Sequence, residues 1–373
     1  MNKFKYYFIL IIACLSLFSC SKDDNSIETE PLRDFGEQFE KDKETIEEYL
    51  DTYTFVHTNA PGETRDQDVV FSKITDPVNQ RSIMSYLNSD TFPKLIKKTV
   101  ELHEITYELY YLVLREGTGD SPCNVDEVLA SYKGDYLYYT VAKPAVPATA
   151  TDPEIPAVPS ELLASQFEKL TYPEDFFDLS NVVVGWSEVF PEFKTGDNPT
   201  EAGDGTLRYN NFGAGVMFLP SGLAYYNRGQ GSIPSYSPLV FSFKLYAIKR
   251  SDSDNDGIPS YLEDLNGDGY LRAVATTNNP LEDSDEDGIP NYLDIDDDGD
   301  GYVTKFEITK PAGINSGLSK YFPFDPVEDN PFTVINETET KGIPAFAATG
   351  EPDYTSPGRL RLHLDKDHHT AKP

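Results

Sequence analysis

Aspartates at alternate positions recur four times between residues 252 and 307. In DSDNDGIPSYLE (252–263) and DDDGDGYVTKFE (296–307), acids at positions 1, 3 and 5 precede a glycine, and a glutamate stands at position 12. This is the spacing of a calcium loop, in which glycine permits the sharp turn and the distant acid binds with both oxygens. DSDEDGIPNYLD (283–294) is a further copy, whereas DLNGDGYL (264–271) has no acid at its far end and should bind most weakly. The predicted ligands are Asp252, Asp254, Asp256, Glu263, Asp264, Asn266, Asp268, Asp283, Asp285, Asp287, Asp294, Asp296, Asp298, Asp300 and Glu307.

The same stretch concentrates the negative charge of the chain. The formal net charge is −32, and residues 252–307 hold 17 acidic side chains against the two bases Arg272 and Lys305. So many neighbouring carboxylates usually need a cation, although a disordered acidic linker is the alternative. The regular spacing favours structural Ca²⁺, and the overall charge argues against a nucleic-acid partner. Pro259 and Pro290 make the loops resemble thrombospondin type 3 repeats more than paired EF-hands. This resemblance implies a rod-like segment that is held together by bound ions.

The segments before these loops indicate a folded α+β unit. Residues 35–53 place Phe and Tyr at helical spacing among Glu and Lys, which predicts an amphipathic helix. TYELYYLVLR (106–115) and LVFSFKLYAI (239–248) predict strands, the second with one buried face. VAKPAVPATATDPEIPAVPSE (141–161) predicts an extended, proline-rich insertion.

Between these strands, SYKGDYL (131–137), VVVGWSEVFPEFKTG (182–196) and GLAYYNRGQGSIPSYSPLVFSF (222–243) follow one another in a recognisable order. The order resembles that of FK506-binding-protein-type (FKBP-type) prolyl isomerases over residues 106–250. The resemblance implies an antiparallel sheet wrapping a short helix and a proline pocket with Trp186 as its floor. The residues that it implies for the site are Tyr132, Val182, Val183, Trp186, Tyr225, Ile233 and Phe241, with Phe167 and Glu168 matched more loosely. Tyr226 and Ser235 replace the glycine and proline common in the family, and Pro191 interrupts the helix that begins near Trp186.

This resemblance implies a peptidyl-prolyl cis-trans isomerase acting on proline-containing polypeptides. Such chemistry needs little acid or base, because rotation about an X-Pro amide is hindered by resonance, with a barrier of ~18–20 kcal/mol. An apolar pocket complementary to the twisted amide is sufficient. The alternative is a non-catalytic surface binding or scaffold protein, in which the pocket only holds a proline-containing partner and the acidic loops act as a spacer.

The first twenty residues, MNKFKYYFILIIACLSLFSC, combine two lysines, a short apolar run and a cysteine. This is the pattern of a signal peptide. Leu17-Phe18-Ser19-Cys20 resembles the lipobox of bacterial lipoproteins, and Ser21-Lys22-Asp23-Asp24 resembles the export signal of Bacteroidetes surface lipoproteins. We therefore expect lipid on Cys20 and attachment to the outer membrane, at the cell surface or on the periplasmic leaflet.

These observations divide the chain into five predicted parts. Residues 1–19 are the signal peptide, and 20–105 form a tether with a helical segment. Residues 106–250 are the isomerase-like domain, 251–307 the calcium-binding repeats, and 308–373 a largely irregular tail.

Overall fold

The computed structural model describes residues 32–147, 155–203, 205–314, 319–329, 338–346 and 350–368. The signal peptide, Cys20 and the motif at 21–24 lie outside the described residues. Among the helices of the described ranges, none is long and apolar enough to cross a membrane.

The predicted amphipathic helix is present as α1, Phe35–Thr52, and its apolar stripe is buried. Phe39, Ile46, Tyr49 and Leu50 recur at the three- and four-residue intervals that place side chains on one helical face. Directly after α1, the chain forms a hairpin of two antiparallel strands, β1 (Tyr53–His57) and β2 (Val69–Lys73).

The centre of the fold is an antiparallel sheet, which in the described residues has seven strands in the order β3-β4-β10-β11-β5-β6, with β7 beside β5. Its strands are β3 Lys94–Leu102, β4 Ile105–Arg115, β5 Glu127–Tyr139, β6 Leu162–Leu170, β7 Phe177–Asp178, β10 Gly213–Leu219 and β11 Leu239–Lys249. Two short strands, β8 (Thr200–Glu201) and β9 (Leu207–Arg208), pair with each other. A short helix, α2 (Val184–Val189), packs on one face of the sheet. The α+β class and the sheet curled around a short helix are thus confirmed.

The sheet is buried on both faces, which differs from the sequence prediction for β11. Leu239, Phe241 and Phe243 pack with α2 on one side, as the alternation predicted. Val240, however, is only 1% exposed, because it packs with α1 and the β1–β2 hairpin on the opposite side. Alternation predicts one buried face only when the other face meets solvent.

The proline-rich insertion pairs with itself rather than with the sheet face. Lys143 bridges to Val158, and Val146 bridges to Ile155, so the segment extends the β5–β6 pair as a two-stranded arm. All four residues are exposed.

The acidic segment and the residues after it fold together. It contains one-turn 3₁₀ helices at Ser260–Leu262 and Asn291–Leu293 and the short helix α3, Thr304–Glu307. Later come the paired strands β12 (Ala345–Phe346) and β13 (Pro352–Asp353) and a 3₁₀ turn, Leu362–Leu364. One apolar cluster joins the acidic segment to these later residues, and its buried members are Ile258, Ile308, Phe322, Ile343 and Leu362.

Candidate functional site

Trp186 lies within a ring of aromatic side chains on the α2 side of the sheet. Its ring centroid is 5.0 Å from that of Tyr132, 5.2 Å from Phe190, 5.4 Å from Phe241 and 5.6 Å from Phe177. Most of these pairs meet edge to face, the geometry favoured by aromatic quadrupoles. We call these five residues, together with Phe167, the aromatic box. Trp186 itself is only 4% exposed and lies at the centre of these rings.

Phe167 reaches the box because β6 contains a bulge. Gly134 of β5 pairs with Glu168 and Asp135 pairs with Gln166, which leaves Phe167 as the extra residue. Its ring meets Phe241 at 5.6 Å and 87° and lies directly over Gly134. A Cβ atom on Gly134 would lie 2.3 Å from Cζ of Phe167, so glycine is required for this placement.

Glu168, also matched only loosely in the sequence, lies beside two phenol groups of the site. Burial and a hydrogen bond to Glu168 raise the pKa of Tyr132 well above its ordinary value. Burial and the charge of Glu168 also raise the pKa of Tyr225. Both hydroxyls therefore stay protonated at physiological pH; that of Tyr132 donates to Glu168, and that of Tyr225 can donate to another group.

The remaining predicted residues surround the same apolar cluster. Ile233 is buried in it, and Val182, Val183 and Tyr225 pack against it half-exposed. Val183 has extended backbone angles and precedes α2, whose first turn places Trp186 beneath it. Pro191 ends this helix, since the chain continues as a 3₁₀ turn over Phe190–Glu192.

Tyr226 points away from the aromatic box. It occupies a left-handed backbone conformation with φ +48°, a region that glycine adopts more readily than other residues. Its ring stacks on Phe35 of α1 at 4.3 Å and meets Tyr236 edge-on at 5.1 Å. The ring of Tyr226 therefore adds to the contact with α1 and does not fill the aromatic box.

The second candidate site is the set of acidic loops at 252–263, 264–271, 283–294 and 296–307, numbered one to four in that order. In each loop, the glycine at position 6 donates its N–H to the carboxylate at position 1, with distances from 2.7 to 3.2 Å. The glycines are Gly257, Gly269, Gly288 and Gly301, with φ of +104°, +83°, +98° and +87°. Loop two thus has the same backbone geometry as the others, although its sequence is shorter.

Several carboxylates of these loops are buried together. In each of loops one, three and four, the acids at positions 1, 3 and 5 have ligand oxygens within 4.8 Å of one another, an arrangement able to hold a metal ion. Glu263 is 3% exposed and Glu307 is 1% exposed, and no described residue hydrogen-bonds to the carboxylate oxygens of either. Burial and neighbouring carboxylates raise the pKa of Glu263 to about 10 and that of Glu307 to about 9. A hard cation is the natural partner of such oxygens, so the donor set fits Ca²⁺.

Two acids that sequence reasoning missed lie with these ligands. Asp297 belongs to loop four but joins Asp256 and Glu263 of loop one, with ligand oxygens within 4.8 Å. Burial and the charges of Asp256 and Asp254 raise its pKa to about 9.

Glu282 lies beside loop two, which has no acid at its far end. It accepts the N–H of Asn266 at 3.0 Å. Burial and the charges of Asp264 and Asp268 raise its pKa to about 7. Glu282 lies 18 residues after Asp264, outside the 12-residue pattern, and only the excess of acids in the sequence could have indicated it.

Comparison with known proteins gives relatives of one kind for the sheet domain. The chain is 26% identical over 236 residues to an FKBP-type peptidyl-prolyl cis-trans isomerase, FkpA, of Aeromonas hydrophila, covering 63% of this chain and 69% of the relative. A crystal structure of a peptidyl-prolyl cis-trans isomerase from Pseudomonas syringae pv. tomato matches with a TM-score of 0.25 and 22% identity, over 41% of this chain and 81% of that one. FkpA from Escherichia coli matches with a TM-score of 0.22 and 25% identity, over 38% and 48%. The family model described as BamM C-terminal matches residues 253–335.

The chain is therefore similar to FKBP-type isomerases at a distance. The aligned 236 residues are more than the 106–250 segment that carries the motifs. The BamM C-terminal match begins within the first acidic loop and extends past the fourth into residues of the apolar cluster around Ile308 and Phe322.

Proposed function

We propose that this protein is a peptidyl-prolyl cis-trans isomerase acting on X-Pro bonds of exported or surface proteins. The observation that carries the proposal is the convergence of the motif residues around Trp186, with Glu168 hydrogen-bonded to Tyr132. A distant relative bears the name of an FKBP-type isomerase, which supports the same reaction. In this proposal the site residues are Tyr132, Phe167, Glu168, Val182, Val183, Trp186, Tyr225, Ile233 and Phe241.

The site would act by shape and by one or two hydrogen bonds. The prolyl ring enters the aromatic box, where the amide loses part of its hydration. Because the twisted amide is less conjugated than the planar one, an apolar pocket that fits the twisted form lowers the barrier. The hydroxyl of Tyr225 stays protonated and donates to a substrate carbonyl, while Glu168 fixes the orientation of Tyr132.

Exchange NMR on a short Xaa-Pro peptide tests this function. The full chain should raise the rate of cis-trans exchange. Without a catalyst, this isomerisation takes roughly tens of seconds. Shifted peptide resonances with an unchanged exchange rate would instead establish the non-catalytic binding protein.

The Gly134→Ala variant should lose about tenfold in kcat/KM, equivalent to about 1.4 kcal/mol in the transition state. The new methyl group must displace the ring of Phe167, whose Cζ lies 2.3 Å from the Cβ position. Gly203→Ala is the matched control, because nothing lies within 4 Å of its Cβ position. Equal activity of the two variants would remove Phe167 from the site.

We further propose that the acidic segment is a set of thrombospondin type 3-like loops that bind structural Ca²⁺. The buried, unpartnered oxygens of Glu263 and Glu307 support this. Asp297 closes the first site across loops one and four, and Glu282 completes loop two. Loops of the ~0.1–1 mM class are occupied at extracellular calcium concentrations.

The raised pKa values predict opposite pH trends with and without calcium. A carboxyl whose folded pKa exceeds its unfolded value is stabilising when protonated, so this stability is lost as pH rises towards the folded value. With chelator, the acidic segment should be more stable at pH 5 than at pH 8, because Asp297, Glu263 and Glu307 have folded pKa values of about 9 to 10. In calcium the order should reverse, because protons compete with the ion. Hydrogen exchange of residues 252–307 at the two pH values measures both trends.

We also propose that the protein is attached to the outer membrane through lipid on Cys20 and displayed at the cell surface. The signal-peptide pattern and the lipobox-like motif before that cysteine support the proposal. A Cys20→Ser variant should no longer be recovered in the membrane fraction. Unchanged recovery of the variant in that fraction would contradict attachment through Cys20.

A further inference from the structure

The second acidic loop is packed against the domain that contains the aromatic box. The N–H of Asn124 donates to the carbonyl of Gly269 at 3.0 Å, and the Asn124 side chain bonds both the N–H and the carbonyl of Leu271 at 2.8 Å. Leu271 and Tyr292 are buried with Cys123 and Val125 of the domain. The loop is therefore fixed on both sides of Tyr270.

Tyr270 connects this loop with the helix that bears Trp186. Its hydroxyl lies 3.0 Å from the carbonyl oxygen of Glu188 and 2.9 Å from Oε1 of Glu192, so it can donate to either. Glu188 is in α2, two residues after Trp186, and Glu192 is in the 3₁₀ turn that continues α2.

Charged neighbours hold the tyrosine ring and the two glutamates in one arrangement. The ammonium of Lys98 lies 3.6 Å above the ring of Tyr270 and 2.9 Å from Oε1 of Glu192. Arg272 lies 3.4 Å from Glu188. A cation over an aromatic face and a half-buried ion pair are each more stabilising here than on an open surface.

The other end of the connection is a proposed cation ligand. The N–H of Tyr270 donates to Oδ1 of Asp268 at 2.7 Å. Asp264 and Asp268 of the loop and Glu282 beside it carry like charges, and a cation bound there would remove their repulsion. The path from ligand to pocket floor thus runs from Asp268 through Tyr270 and Glu188 to Trp186.

We infer that Tyr270 is a positioning residue that couples occupancy of the second acidic loop to the aromatic box. With the loop loaded, Tyr270 holds the α2 helix and hence Trp186 in the geometry described above. With the loop empty, repulsion between the acids loosens Asp268 and releases the hydroxyl from Glu188 and Glu192. The effect on catalysis rests on the proposed isomerase function, whereas the effect on Trp186 does not.

The chain provides its own reporter, because Trp186 is its single tryptophan. The emission of Trp186 in the full chain should change on titration from chelator to saturating Ca²⁺. In the Tyr270→Phe variant, which keeps the ring but not the hydroxyl, emission at saturating Ca²⁺ should stay at the chelated wild-type value. Glu286→Gln is the control, since it removes one charge from an exposed residue of the same segment and should leave the response of Trp186 to Ca²⁺ in place.

Activity is measured separately on the same samples. Chelation should lower kcat/KM about tenfold, mostly in kcat, and Tyr270→Phe should show the lowered value even in Ca²⁺. If the wild type has no isomerase activity but its tryptophan response disappears in Tyr270→Phe, the isomerase function fails and the coupling stands. If Tyr270→Phe responds to Ca²⁺ as the wild type does, or if the wild type does not respond, the coupling is wrong.

Discussion

Chelation of calcium should unfold residues 252–307 together with the apolar cluster around Ile308, while the antiparallel sheet stays folded. Asp256 and Glu263 of the first loop and Asp297 of the fourth would face one another without a counter-charge in an interior site. Ile258 of that loop is buried with Phe322 and Leu362, so its loss removes the packing of the residues after 308. The strands β5 and β11 are paired along their length and have none of these acids between them.

The expected magnitude follows from linkage between binding and folding. A ligand present at one hundred times the dissociation constant of its site stabilises the folded state by about 2.7 kcal/mol, which corresponds to about a hundredfold change in the ratio of folded to unfolded molecules. Hydrogen exchange should therefore accelerate at least about a hundredfold at Gly257 and Ile258 after addition of a chelator, with little change in β5 and β11.

A matched pair of variants separates calcium binding from general charge effects. Glu263→Gln removes one charge from a buried ligand, whereas Glu286→Gln removes one from an exposed residue of the same segment. Only the first should lower calcium affinity and accelerate exchange. Equal behaviour of the two, or loss of protection in β5 and β11 on chelation, would show that calcium acts on the chain as a whole.

The acidic loops illustrate how far local spacing predicts a site. Aspartates at alternate positions followed by glycine indicated the four loops, because the ligands of one loop lie close together in the sequence. Asp297 and Glu282 could not be found in this way. Neither stands at a ligand position of the loop pattern, and the distance between loops one and four is set by packing rather than by sequence.

The aromatic box was predictable for a different reason. The order of the motifs, by its resemblance to FKBP-type isomerases, predicted that Tyr132, Trp186 and Phe241 lie in one site. In the structure their ring centroids lie within 6.0 Å of one another. Phe177 and Phe190 carried no such signal, since β7 is two residues long and Phe190 lies after α2 has ended. Phe167 depends on the bulge in β6, a feature of strand register that one strand's own sequence does not reveal.

Trp186→Ala should abolish the proposed isomerase activity and also lower the free energy of unfolding by about 3–5 kcal/mol. The stability loss is expected because the indole is 4% exposed and contacts the rings of Tyr132, Phe190 and Phe241. The activity loss is expected because the prolyl ring of the substrate would lose the apolar surface that the indole provides. Urea denaturation followed by far-UV circular dichroism measures the first effect, and exchange NMR of an Xaa-Pro peptide measures the second.

Trp186→Phe distinguishes loss of the pocket floor from loss of the fold. Phenylalanine fills part of the same space and preserves contact with the surrounding rings, so it should retain most of the stability and a measurable fraction of the activity. Full activity in Trp186→Ala, at urea concentrations where the variant is folded, would show that catalysis does not occur at this site. Wild-type stability with complete loss of activity in Trp186→Phe would instead indicate that the indole itself contacts the substrate.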